Sequence, residues 1–114
     1  MPKLRPFTYY QQSEVIGYHF FCPGCKSAHS VYTAPHGVEN KGPVWGFNGS
    51  MDKPTFSPSL LMSAVPAHDE WPGIPRCHLF IRDGQIQFLD DCEHALKGQT
   101  VEIPEWDDSR WGTQ

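Results

Sequence analysis

The sequence predicts a small, mainly β, antiparallel single-domain fold with one short helix. Short β-branched and aromatic runs are interrupted by 10 Gly and 11 Pro in 114 residues, too often for long helices. Asp83-Gly84 sits between Cys77–Arg82 and Gln85–Leu89, the signature of a two-residue hairpin. Cys22-Pro23-Gly24-Cys25 follows the strand-like run Phe20-Phe21, and such a turn presents two thiolates to one metal ion. A core this interrupted gains from a staple, so the predicted class is a β domain held by a structural zinc.

Taken in order, residues 1–14 read as an N-terminal lead-in, in which Phe7, Tyr9 and Tyr10 could form a first sheet edge. Val15–Phe21 is a strand, and Ser30–Thr33 its return, with the cysteine turn at the tip of the hairpin. Ala34–Gly42 is loop, broken by Pro35, Gly37 and Gly42. Val44–Phe47 is a short strand running into the turn dipeptide Asn48-Gly49, and Trp45, Phe47 and Phe56 read as core. Pro58 confines the Thr55–Met62 strand to an edge or a bulge, and Ser57 and Ser59 read as edge-strand residues. Ala64–Pro75 reads as an exposed loop around Trp71. After the Asp83-Gly84 hairpin, Asp90 or Asp91 can cap a helix over 91–97 that Gly98 terminates. Thr100–Ile103 is the last strand of a zinc-stapled domain spanning 15–104, and 105–114 is a loose acidic tail with Trp106 and Trp111.

The hairpin register selects the remaining ligands. A turn at Asp83-Gly84 pairs Arg82 with Gln85, which places Cys77 opposite Asp90 and Cys92 two residues further along the same face. His78 points to the other face. The predicted metal set is therefore Cys22, Cys25, Cys77 and Cys92, a closed four-thiolate site. His78, His94 and His29 are the alternatives to Cys92. Zinc is the expected ion; iron in a rubredoxin-like site would use the same four cysteines. The plainer alternative is four reduced cysteines packed as small hydrophobes. A thioredoxin-type redox motif would need a βαβ pattern that is missing here.

A formal net charge of −4 and the absence of any basic run weigh against binding to phosphate backbones. No apolar run reaches membrane-spanning length and the N-terminus lacks a signal-peptide h-region, so the chain reads as cytoplasmic. A catalytic cluster of His78, Asp91 and His94 is the enzymatic alternative, as a metal-dependent hydrolase or nucleotide-processing enzyme. Spacing alone assigns no nucleophile–base pair, and no phosphate-cradling Gly loop is present.

The motifs F-F-C-P-G-C, W-G-F-N-G, D-K-P-T-F-S-P-S-L-L and C-H-L-F-I-R-D-G-Q-I-Q-F-L-D-D-C together resemble a family of small zinc-binding β proteins of tailed bacteriophages and prophages. The resemblance spans residues 18–104. Some members carry an "ammonia monooxygenase" label, which nothing in this chain supports: it has neither a copper-type histidine cluster nor a membrane segment. The resemblance implies a phage origin and action in the host cytoplasm, without implying a reaction. The function expected on these grounds is an accessory protein binding a host or phage protein, one form being counter-defence. The metal-dependent enzyme ranks second, and a zinc-ribbon-like nucleic-acid binder third.

Overall fold

The computed structural model describes residues 2–8, 13–35 and 42–107. Among the described residues, eight strands form two antiparallel sheets: β1 (Arg5–Thr8), β2 (Val15–Cys22) and β3 (Ser27–Tyr32) in one, and β4 (Gly46–Phe47), β5 (Phe56–Met62), β6 (Cys77–Arg82), β7 (Gln85–Phe88) and β8 (Thr100–Glu102) in the other. Within each sheet, neighbours in space are neighbours in sequence. Leu4, Phe20, Cys22 and Val31 from the first half of the chain share one buried cluster with Phe56, Leu60, Leu79, Ile81, Ile86, Phe88 and Ile103 from the second. Phe56 lies in that cluster, while Trp45 and Phe47 pack against it, as the sequence predicts.

The β6–β7 hairpin has the predicted register, Arg82 facing Gln85 and Leu79 facing Phe88. Asp83 and Gly84 both take positive φ (50° and 78°), as a twist-matched two-residue turn requires. A methyl on Gly84 would also lie 3.1 Å from the Asp52 carbonyl, a contact tight enough that the neighbouring backbone would have to shift. Alternation is clear along β6: Cys77, Leu79 and Ile81 are buried, while His78, Phe80 and Arg82 face outward.

Pro58 sits where the β5–β6 register shifts, between Phe56 and Leu60, the irregularity that proline imposes on a ladder. Beyond Met62 the chain does not dissolve into loop. Val65 bridges Ile74 and His68 bridges Trp71, which makes 63–76 an exposed hairpin extension of β5 and β6.

One expectation is refined and another corrected. The turn signalled by Asn48-Gly49 is wider than that dipeptide, because Asn48 N–H bonds to the Thr55 carbonyl and the polar residues between fold on themselves through Ser50 and Lys53. The predicted helix over 91–97 is a chain of turns, and no helix occurs among the described residues. Cys92, Lys97 and Gln99 each donate to the carbonyl three residues back, whereas Leu96 N–H donates to His94 Nδ1, so a side chain takes the bond that a helix would need. Trp106 in the tail is buried, with its N–H on the Pro2 carbonyl. Tyr9, Tyr10 and Trp111 lie outside the described residues.

Candidate functional site

Two groups of polar side chains flank β6, one on each face. On the inner face, the β2–β3 tip brings Cys22 and Cys25 to Cys77 at the start of β6, and the turns after β7 add His94. The four ligand atoms all lie within 4.8 Å of one another. Cys22 Sγ is 4.0 Å from Cys77 Sγ, which is 3.4 Å from His94 Nε2, and Cys25 N–H donates to Cys22 Sγ at 3.3 Å. Sulfur–sulfur spacing in a tetrahedral zinc site is about 3.8 Å, given bonds of about 2.3 Å, so three thiolates and one imidazole could hold a metal ion here.

Electrostatics favour a cation among these sulfurs. Hydrogen bonds from Cys25 and Cys77 pull the Cys22 thiol far down, while donating to Cys22 pushes Cys25 up to about 12 and Cys77 higher still. Without a cation, one negative charge is all that this trio accommodates readily. Gly24 makes the approach of His94 possible: a methyl there would lie 2.5 Å from His94 Nε2 and 2.6 Å from Nδ1. The imidazole also meets Phe88 edge-on, with centroids 4.6 Å apart.

Cys92, the fourth ligand expected from the hairpin register, is outside this group of four atoms. Strand pairing ends at Leu89, whose N–H bonds to the His78 carbonyl, and the chain turns so that Glu93 N–H meets the Arg76 carbonyl. Past Leu89 the chain therefore no longer follows the β6–β7 ladder. The Cys92 sulfur accepts the His78 N–H at 3.3 Å and donates to the His78 carbonyl at 3.1 Å. His29, another alternative, is buried with Nε2 unpartnered, and it stands outside the four-atom cluster.

On the outer face the structure assembles a second group. His78 Nε2 lies 3.2 Å from Ser59 Oγ, and His78 Nδ1 lies 3.1 and 3.3 Å from the two carboxylate oxygens of Asp91. A carboxylate only accepts, so Nδ1 carries the proton and Nε2 is left to accept the Ser59 hydroxyl. Arg76 completes the line with Nη2 and Nε at 3.2 and 3.3 Å from Asp91 Oδ2. These bonds, that from His78 foremost, hold the Asp91 carboxyl below its ordinary range. Trp45 Nε1 donates to the Ser59 carbonyl at 3.1 Å, which fixes the backbone under the hydroxyl.

Sequence spacing groups His78 and Asp91 with His94 and leaves Ser59 as an edge-strand residue. The structure separates His94, on the metal-type cluster, and supplies Ser59 in its place. The available signal was parity: across the β5–β6 ladder Leu61 faces His78, so Ser59 and His78 share the outer face as near-diagonal neighbours. That pairing spans a loop of unknown register, which spacing could not bridge.

An imidazole held between a hydroxyl and a carboxylate is the arrangement of serine hydrolases, and it is recognised by geometry, not by chain order, which here runs Ser, His, Asp. Residues 2–89 match the family model described as bacterial ubiquitination-like system serine protease, BubE, and the chain belongs to this family. The matched span includes Ser59, His78 and the three clustered cysteines and stops two residues before Asp91. The family is described as bacterial, and its description says nothing of phage origin or of zinc. No curated protein and no solved structure is similar enough to match. No helix among the described residues is long and apolar enough to cross a membrane.

Proposed function

We propose that the protein is a serine protease of a bacterial ubiquitination-like system, with Ser59 as nucleophile, His78 as general base and acid, and Asp91 as the carboxylate that orients it. The observation that carries this reading is the continuous hydrogen-bonded line Ser59 Oγ–His78–Asp91 on the outer face of β5 and β6. The family description supports it and suggests a substrate that is a protein of that system.

Ser59 Oγ attacks the carbonyl carbon of the scissile amide while its proton passes to His78 Nε2. The C–O bond forms, the tetrahedral adduct collapses with cleavage of the C–N bond, and the amine leaves with the proton from His78. Water then attacks the acyl-serine ester by the same route, releasing the carboxylic acid and restoring the hydroxyl. Asp91 keeps the imidazole in the Nδ1–H tautomer and stabilises it when it becomes cationic.

Cys22, Cys25, Cys77 and His94 would hold a metal, and three thiolates with one imidazole suit zinc better than iron. A site closed by four protein ligands leaves no position for substrate, so its role is structural. It ties the β2–β3 tip to Cys77, the residue before the catalytic histidine. The accessory binding role expected from the sequence then reduces to recognition of the substrate protein.

An alkyl fluorophosphonate tests the reading directly. One adduct on Ser59, read by intact mass and peptide mapping, is expected, with none on Ser59→Ala and greatly slowed labelling of His78→Ala. Labelling of Ser59→Ala equal to wild type would sink the assignment.

A further inference from the structure

We infer that the uncovered edge of β5 at Leu61 seats the substrate's main chain, an extended peptide segment adding there as a strand beside the Ser59 hydroxyl; the inference rests on the protease reading above. β4 covers β5 only at Phe56 and Ser57. Upstream of Gly46 the chain leaves the ladder, since the Trp45 N–H bonds to the Tyr32 carbonyl, and the Trp45 indole then closes the Ser59 carbonyl from the side. The next residue of β5 to face that edge is Leu61.

The direction of its main-chain groups follows from its partner. Leu61 faces His78, and His78 turns both its N–H and its C=O away from β5, to the Cys92 sulfur and to Leu89 N–H. Residues paired in this way in an antiparallel ladder point their main-chain groups away from each other. Leu61 therefore directs its N–H and C=O to the edge that β4 leaves bare. Among the described residues no main-chain partner reaches them.

A bare edge next to a nucleophile is a template for one kind of ligand. An extended peptide supplies alternating N–H and C=O groups at the spacing of the strand, whereas a helix or a folded sheet face cannot. The Leu61 side chain is 49% exposed on the face that carries Ser59 and His78, so it offers an apolar contact to the side chain of the added strand. The substrate segment is thus an unstructured tail or linker, read chiefly through its main chain, with an apolar or small residue over Leu61.

Leu61→Pro removes the donor without removing any bond made among the described residues, and proline is tolerated on an edge. Two probes are compared by rates of Ser59 modification: an alkyl fluorophosphonate, and acetyl-Ala-Ala-Ala diphenyl phosphonate. We expect the ratio of peptidyl to alkyl rate to fall about tenfold in Leu61→Pro, the size of one or two lost main-chain hydrogen bonds, with the alkyl rate unchanged. The peptidyl probe N-methylated at its second alanine should lose the same factor on wild-type protein, a readout that does not depend on the variant folding. Failure of wild type to react with the alkyl probe removes the protease reading itself. Reaction with both probes, but a ratio unchanged by Leu61→Pro and by N-methylation, overturns the edge alone. A solution dimer that Leu61→Pro dissolves without changing the ratio assigns the edge to a second copy of the chain and overturns it as well.

Discussion

The Cys92 thiol holds the main chain of His78 at both ends, accepting its N–H at 3.3 Å and donating to its carbonyl at 3.1 Å. The preceding residue, Asp91, holds the same histidine by its ring at 3.1 Å. Two consecutive residues after β7 thus fix one residue of β6 in position and in orientation. A cysteine suits this place because it is small, buried and able to both accept and donate weakly.

Cys92→Ala should leave the His78 N–H without its partner and a small void beside it. The expected cost is about 1–3 kcal/mol in a denaturant or thermal melt. Activity should fall further than the folded fraction does, because the freed backbone lets the imidazole of His78 drift from Ser59; kcat is the quantity to compare after correcting for unfolded protein. Cys92→Ser keeps a donor and an acceptor and should recover part of both. A Cys92→Ala protein with wild-type kcat and stability would remove the clamp from the mechanism.

Metal content separates the two faces of β6. Cys77→Ser and His94→Ala should each lower the bound metal, measured by elemental analysis of the purified protein, and His78→Ala and Cys92→Ala should leave it at the wild-type level. Chelation should lower the melting temperature together with activity, since binding energy at such a site is folding energy. Retention of metal by His94→Ala with loss in Cys92→Ala would restore the four-cysteine set and contradict the geometry.

Much of this architecture is legible in the sequence, and the reasons are local. Asp83-Gly84 fixes the register of β6 and β7, and the Cys22–Cys25 turn lies at a hairpin tip because strands flank it on both sides. What is hidden depends on where pairing stops. The hairpin register carried past Leu89 would bring Cys92 to the cysteine cluster, but the chain turns there and His94 is the residue within 4.8 Å of the three sulfurs. The 91–97 segment has helix-type caps at each end, yet the His94 side chain takes a main-chain donor and the turns never propagate. Ser59 meets His78 across a hairpin extension whose length cannot be counted from a stretch rich in proline, so the nucleophile reads as one more polar edge residue.

The acid limb of the site follows from the partners of Asp91. Its carboxyl is held low first by the bond to His78 and then by Arg76. A carboxyl lowered by folding contributes stability that is present above its unfolded value and lost as pH falls through the folded one. Carboxyl NMR titration should show the Asp91 midpoint rising in Arg76→Ala and rising more in His78→Ala. The reverse ranking would make Arg76 the principal partner, and the hydrogen bond to the base would no longer account for the orientation of the ring.

Gly24 tests how closely the two halves of the metal-type cluster are fitted. It stands between the two cysteines of the turn, and a methyl on it would fall 2.5 Å from His94 Nε2, the atom aimed at the Cys77 sulfur. Phe88 lies edge-on to the imidazole and the Leu96 N–H donates to its Nδ1, so the ring has little freedom to retreat. Gly24→Ala should therefore displace the fourth ligand while keeping all three sulfurs. Metal affinity, read by competition with a chromophoric chelator, is expected to drop at least about tenfold, within the range that disturbed ligand orientation produces. His94→Ala combined with Gly24→Ala should be no worse than His94→Ala alone, because the clash then has nothing to strike. Additive losses in the double variant would mean that Gly24 serves the turn itself and not the approach of His94.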